Sequence, residues 1–131
     1  MTHDETRDEL ARMDGWNKPG TFRADTGNEL LDAMNRTIAR GNWWKSNSDG
    51  TLYTANGHPH PPTLDGANAA VPEGWWWSRY ETGAEGVKWC AGPQTGFAAV
   101  YVYDTGNPMA DLYALALKCR RAMEDANGKA K

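Results

Sequence analysis

Apolar residues recur along this chain with two different periods, and the change of period divides it into elements. From Asp4 to Met13 the residues Thr6, Leu10 and Met13 share one face, which predicts a short amphipathic helix. Asp8 stands where it can pair with Arg12, and Gly15 supplies the stop. Trp16 is expected to plug the end of this helix into the body, and Lys18-Pro19-Gly20 reads as a turn. Asn28 to Arg40 predicts a second helix with Leu30, Leu31, Met34 and Ile38 as its apolar stripe. Thr63 can cap a short helix through Val71 that Pro72 stops. The longest helix runs from Asn107 to Ala126, with Met109, Leu112, Tyr113, Ala116, Cys119 and Met123 on one side.

Elsewhere the period drops to two. Trp75 to Glu81, Val87 to Ala91 and Phe97 to Tyr103 predict three strands separated by Gly-rich turns, hence an antiparallel meander. Trp43-Trp44 enters a predicted hairpin, with Ser46 to Gly50 as loop and Thr51 to Thr54 as return strand. Pro59, Pro61 and Pro62 make the stretch before the third helix irregular. The predicted fold class is α+β: a three-stranded antiparallel meander with a long C-terminal helix on one face, and N-terminal helices and a small hairpin beside it. The chain reads as one domain, with an N-terminal part over 1–55, a helix-βββ-helix core over 63–127 and a frayed tail over 128–131.

The strands raise a question about faces, because successive side chains point to opposite sides. In the third strand Ala98, Val100 and Val102 suit a layer beneath a helix, while Phe97, Ala99, Tyr101 and Tyr103 make an aromatic side. Trp75-Trp76-Trp77 places indole on both faces. The expectation is that Trp75, Trp77, Val87 and Trp89 join Tyr101 and Tyr103 on the aromatic face, and that Trp76 lies with the aliphatic layer.

Composition sharpens this. Among 131 residues there are seven Trp and only two Phe, and Trp serves binding surfaces as well as cores. The formal net charge of −3 argues against a broad phosphate-neutralising surface, so direct nucleic-acid binding is not expected. Arg36, Arg40 and Lys45, and likewise Lys118, Arg120 and Arg121, read as cations at helix ends. The charged N-terminal segment has no signal-peptide pattern and no apolar run approaches spanning length, so a cytoplasmic protein with reduced Cys90 and Cys119 is expected.

The four-residue word Asp25-Thr26-Gly27-Asn28 recurs as Asp104-Thr105-Gly106-Asn107, and an aspartate follows each at the same offset, Asp32 and Asp111. The physical reading is helix capping, with Asn28 and Asn107 as N-caps. Asp-Thr-Gly is also the catalytic triplet of aspartic proteases, but both copies run into helical sequence, unlike that family. His58-Pro59-His60 offers two ligands where zinc needs three or four. Ser46, Ser48 and Ser78 have no evident base, neither cysteine has a neighbouring histidine, and no phosphate-cradling loop occurs. No cofactor and no metal are expected, and an enzyme is the less favoured class.

What remains are aromatic surfaces. Trp75, Trp77, Trp89, Tyr101 and Tyr103, with Arg79 as a cationic neighbour, form one candidate site; Trp43 and Trp44 form another. The segments Thr63 to Ala70, Pro72 to Trp75, Val87 to Cys90, Asp104 to Asn107 and Ala114 to Lys118 resemble small proteins of bacteriophages and prophages, some grouped as a phage α-β-α sandwich family. That resemblance implies an accessory phage product in a bacterial host cell, acting by stoichiometric binding to a host protein such as a nucleic-acid-binding component of a defence system, in the manner of an anti-CRISPR protein. The alternative is a nucleotide-sequestering protein that uses the aromatic platform.

Overall fold

The computed structural model describes residues 2–19, 25–40, 43–46, 58–94 and 99–129. In chain order the elements are α1 (His3–Met13), β1 (Trp16–Asn17), α2 (Glu29–Arg40), β2 (Lys45–Ser46), α3 (Leu64–Ala70), β3 (Trp75–Thr82), β4 (Gly86–Pro93), β5 (Val100–Tyr103) and α4 (Pro108–Lys129). The class is α+β, with a three-stranded antiparallel sheet and a long C-terminal helix, as the periodicity predicts. The chain forms two compact units, one of Met1–Thr6 with Pro61–Lys131 and one of Arg7–His60.

In the first unit the strand order is β3-β4-β5, all antiparallel. A three-residue turn after Thr82 sets Thr82 opposite Gly86, which carries Tyr80 to Lys88, Ser78 to Cys90 and Trp76 to Gly92. Gly86 sits at φ 80°, a left-handed conformation that favours glycine, so the turn's end is written into the sequence. On the far side Lys88 faces Tyr103 and Cys90 faces Tyr101.

Helices α3 and α4 close one side of this sheet. Leu112, Tyr113, Leu115, Ala116, Leu117 and Cys119 of α4 are buried together with Ala67 and Ala70 of α3 and Trp89 and Ala91 of β4. The buried face of α4 is wider than the predicted stripe because Leu115 and Leu117 also turn inward. Cys90 and Cys119 are both free thiols, and burial pushes that of Cys119 up to about 12.

One close approach fixes α3. The Thr63 hydroxyl oxygen accepts the Gly66 N–H at 2.9 Å, capping the helix, and the Tyr113 hydroxyl donates to the Pro61 carbonyl beside it. A side chain at position 66 would put its Cβ 2.6 Å from the Pro61 carbonyl oxygen and 2.7 Å from the Tyr113 hydroxyl. Only glycine fits there.

In the second unit β1 pairs with β2, Trp16 opposite Ser46 and Asn17 opposite Lys45. The chain after Trp43-Trp44 therefore pairs with the segment behind α1; Ser46, expected to open the loop over Ser46 to Gly50, is in β2, and the rest of that loop and the return strand expected over Thr51 to Thr54 lie outside the described residues. Two pairings differ from expectation. Arg12 bonds Glu9, while Asp8 binds Lys18 at 2.9 Å and His58 at 2.8 Å. On α2 the inward row is Leu31, Asn35 and Ile38, with Asn35 3% exposed and accepting from Lys45 at 2.9 Å. Leu30 and Met34 turn outward, 73% and 44% exposed. A polar residue that finds a partner can centre a buried stripe, which hydropathy alone does not anticipate.

Both copies of the repeated word adopt one structure. Asn28 caps α2 by accepting the Leu31 N–H at 3.1 Å, and Asn107 caps α4 by accepting the Ala110 N–H at 3.2 Å. Asp32 accepts both the N–H and hydroxyl of Thr26, and Asp111 does the same for Thr105. Those bonds hold the Asp32 carboxyl below the usual carboxylate range, the Thr26 N–H contributing most. Gly27 and Gly106 stand at φ 89° and 88° between threonine and cap. The capping reading is what the geometry shows.

Gly66→Ala is expected to lower stability by about 1–3 kcal/mol, overpacking outweighing alanine's better helix propensity. Urea unfolding checks this. An unchanged midpoint would mean that the Pro61–Tyr113 contact yields without cost.

Candidate functional site

Residues directly opposite one another on antiparallel strands share a face, so the register assigns every side chain of the sheet. Trp75, Trp77, Arg79 and Glu81 of β3, Val87, Trp89 and Ala91 of β4, and Val100 and Val102 of β5 share the face toward α3 and α4. Trp76, Ser78 and Tyr80, then Lys88, Cys90 and Gly92, then Tyr101 and Tyr103 share the other. Grouping Trp75, Trp77, Val87 and Trp89 was right, but their partners on β5 are Val100 and Val102. The expected assignment of Trp76 to the aliphatic layer is reversed. A one-residue offset between β4 and β5 exchanges the faces of β5 completely.

The helix-side aromatics are held in place. Trp77 donates its indole N–H to Asn68 of α3 at 2.8 Å, and its ring lies 5.7 Å from that of Trp89. Trp89, 4% exposed, donates to Asp104 at 2.9 Å. Arg79 donates to the same carboxylate oxygen at 3.1 Å and lies 5.8 Å from the Trp89 ring centre. These two bonds, Arg79's first, hold the Asp104 carboxyl below its ordinary range. The aspartate that the protease motif would make catalytic is thus a clamp on a core tryptophan, and Asp25 belongs to the other unit. Of the predicted site residues, Trp89 is buried, Trp75 and Trp77 are half-buried, and Arg79 reaches the surface over them.

The open face is a pavement of four aromatic side chains. Trp76, Tyr80, Tyr101 and Tyr103 are 46%, 44%, 42% and 55% exposed. They lean over the central strand and cover it, which is why Lys88 and Cys90 are buried on the open side. The Trp76 indole packs against Gly92, where a Cβ would come 3.0 Å from Cζ2. Tyr80 reaches the Cys90 sulfur at 3.1 Å, a contact that raises the tyrosine's pKa. Lys88 pairs with Glu85, and its ammonium lies 4.5 Å from the Tyr101 ring and 5.4 Å from the Tyr103 ring. The bond to Glu85 raises the lysine's pKa and keeps it charged. Tyr101 and Tyr103 meet edge to face at 5.6 Å. Lys118 of α4 donates to the Tyr101 carbonyl at 3.0 Å, covering part of the outer edge of β5.

In the second unit the two adjacent tryptophans separate. Trp44 is 6% exposed, its ring 4.6 Å from that of His58, so it is not available as a surface anchor. Trp43 is 40% exposed and lines an open apolar groove with Ala33, Met34, Thr37 and Ile38.

His58 and His60 join this unit's framework. The His60 N–H donates to His58 Nδ1 at 3.0 Å, so the His58 proton sits on Nε2 and faces Asp8 at 2.8 Å. Both ring nitrogens are engaged within the protein, which leaves neither for a metal or a substrate proton. His60 Nε2 meets Asp14 at 2.9 Å, and Arg7 donates to the His60 carbonyl at 2.9 Å. Among the described residues no group of three or more His, Cys, Asp or Glu is placed to hold a metal ion. Nor is any described helix long and apolar enough to cross a membrane.

Comparison with protein-family models, with curated proteins and with solved structures found no match. The functional reading rests on the geometry. Sequence periodicity identified Tyr101 and Tyr103 but missed Trp76 and Tyr80. The signal that could have found them is the turn between Thr82 and Gly86, which by itself puts Trp76 and Tyr80 on the face of Lys88, Cys90 and Gly92.

Burial holds the His58 pKa below its ordinary 6.5, against the opposing pull of Asp8. The unfolded chain then takes up its proton first, so stability is complete above about pH 6.5 and falls as pH drops through that value. The melting temperature of the wild type is expected to decline between pH 7.5 and 5.5, and less steeply in His58→Asn. Equal slopes in the two proteins would remove His58 as the cause.

Proposed function

We propose that this protein acts by stoichiometric binding, and that the open aromatic face of its sheet is the docking surface. The observation that supports this most directly is the exposure of Trp76, Tyr80, Tyr101 and Tyr103 together on one face, each more than two-fifths accessible. Half-exposed Tyr and Trp make strong interface anchors because they offer large area, a polar handle and few rotatable bonds. The edge-to-face packing of Tyr101 with Tyr103 and the contact of Trp76 with Gly92 leave less ordering to oppose association.

A protein partner fits this surface better than a free nucleotide does. The two lysines beside the pavement are engaged: Lys88 with Glu85 and two tyrosine rings, and Lys118 with a backbone carbonyl. A phosphate would have to compete with those contacts. The biological setting that suits such a binder is the one the sequence resemblance implies, a phage or prophage accessory protein that inhibits a host defence component such as a CRISPR effector. The catalytic candidates fit a binding role too, since one Asp104 oxygen holds Arg79 and Trp89 and both His58 ring nitrogens are engaged within the fold.

Replacing Tyr101 and Tyr103 together by Ser is expected to weaken capture of the bacterial partner about thirtyfold or more, as loss of interface hot spots does, about 2 kcal/mol or more. Both rings shield Lys88, so the melting temperature is expected to fall, and a retained cooperative transition shows that the variant is folded. Trp43→Ala, in the other unit, serves as the comparison. If the Trp43 variant loses the partner and the tyrosine variant keeps it, the docking surface is the groove on α2 and the sheet reading is wrong.

A further inference from the structure

We infer that the outer edge of β3 pairs with the same edge of a second copy of this chain, antiparallel about a two-fold axis at Tyr80, joining the two sheets into one. The inference goes beyond the docking reading above, because the edge of the sheet and its open face are different surfaces. Three observations carry it.

The first is the state of the edge. β3 stands at one end of the strand order, and among the described residues no strand pairs with its outer side. The phase of the ladder shows which groups point there. The Asp104 N–H donates to the Val87 carbonyl at 3.0 Å, so Val87 turns its backbone toward β5. Alternation then turns Lys88, Cys90 and Gly92 toward β3, where Tyr80, Ser78 and Trp76 oppose them. Trp77, Arg79 and Glu81 are left directing their N–H and C=O groups outward, and no hydrogen bond from a described residue reaches those groups. The opposite edge differs, since Lys118 donates to the Tyr101 carbonyl there. An uncovered edge eight residues long is a template for another strand.

The second is the order of charges. An antiparallel copy reads β3 backward, so residues on either side of the central one face each other. Centred on Tyr80, Arg79 faces the second copy's Glu81, Glu81 faces its Arg79, and Ser78 faces its Thr82. Arg79 and Glu81 are both exposed. Arg79 uses Nε for Asp104, and its terminal nitrogens are the further donors that suit a carboxylate. Neighbouring registers do worse. Centring on Arg79 or on Glu81 sets that charge against its own copy, and centring on Ser78 leaves Glu81 facing Trp75. A cation and an anion two residues apart reject most strands and accept their own reverse.

The third is parity. Arg79 and Glu81 both belong to the outward-directed set, so the register that matches the charges also matches backbone donors to acceptors. A centre between two residues would do neither. Opposed residues share a face, so the open sides of both copies lie on one side of the joined sheet. Tyr80 keeps its contact with Cys90 in each copy, and the two pavements become one surface.

The test is sedimentation of the full chain over a concentration series, with ¹⁵N-detected amide exchange on the same samples. The wild type is expected to form a dimer in which the Arg79 and Glu81 amides gain at least tenfold protection on assembly, while those of Ser78 and Tyr80 are protected throughout. Glu81→Arg and Arg79→Glu should each raise the dissociation constant at least tenfold, because each sets like charges opposite one another twice. Mixed in equal amounts, the two variants should recover the dimer, since every charge then meets its opposite. Melting curves show that each variant is folded. If Arg79→Glu, which loses the bond to Asp104, is not, Glu81→Gln should weaken the dimer less than Glu81→Arg does. A wild type that stays monomeric at millimolar concentration overturns the inference, as does a dimer that Glu81→Arg leaves unchanged. A dimer lost in Trp43→Ala and kept in Glu81→Arg would move the interface to the groove on α2. Capture of the bacterial partner by a monomer would remove the dimer and leave the docking surface standing.

Discussion

Opposed residues on antiparallel strands must point the same way, and in this protein that constraint decides what is core and what is surface. Thr82 opposite Gly86 sends Trp75 and Trp77 with Trp89 toward the helices and sends Trp76 and Tyr80 outward. Lys88 opposite Tyr103 then adds the two tyrosines of β5 to the outward set and the two valines to the inward one. Shifting the β4–β5 pairing by one residue would place Tyr101 and Tyr103 beneath α4 and leave Val100 and Val102 in water, and shifting β3–β4 would exchange Trp76 and Tyr80 with Trp75 and Trp77. The aromatic pavement is a consequence of the same register that builds the core.

The two faces solve the same problem differently. Toward α3 and α4, each indole N–H that leaves water meets a carboxylate or amide, Trp89 on Asp104 and Trp77 on Asn68. On the open side the aromatic rings do the covering themselves. Trp76 replaces a neighbour's side chain over Gly92, Tyr80 closes over Cys90, and the Lys88 stem is shielded by Tyr101 and Tyr103. That arrangement shields the central strand while keeping one side of each ring accessible. Apolar surface kept in water in this way lowers stability relative to a helix-covered sheet, and its retention is the physical ground for the docking surface proposed above.

The helices, strands and caps were legible because local rules govern them: apolar spacing for α1 and α4, Thr63 and the two Asn caps, the Gly-rich turn after β3. The membership of each face was only half legible. β3 and β4 are joined by a tight turn whose length fixes parity, and Trp75, Trp77, Val87 and Trp89 were grouped correctly. Six residues, 94 to 99, separate β4 from β5, and a loop of that length does not dictate register. Trp44 was misread for another reason. Adjacent tryptophans look alike in sequence, but Trp44 packs against His58, 14 residues on, while Trp43 lines the groove with Met34.

The repeated word shows how far local chemistry reaches without a shared function. In both copies glycine supplies the left-handed turn, asparagine caps the helix, and an aspartate one turn in returns to the threonine. Only the leading aspartate differs in what it does. Asp104 follows β5, so it stands where Trp89 and Arg79 converge and becomes the bond that holds a core indole. Asp25 is exposed. The same four residues thus act identically where the backbone decides, and the further role of Asp104 comes from the strand that precedes it. A motif's chemistry belongs to the surface that presents it, and here that surface makes Asp104 part of the scaffold under the aromatic face.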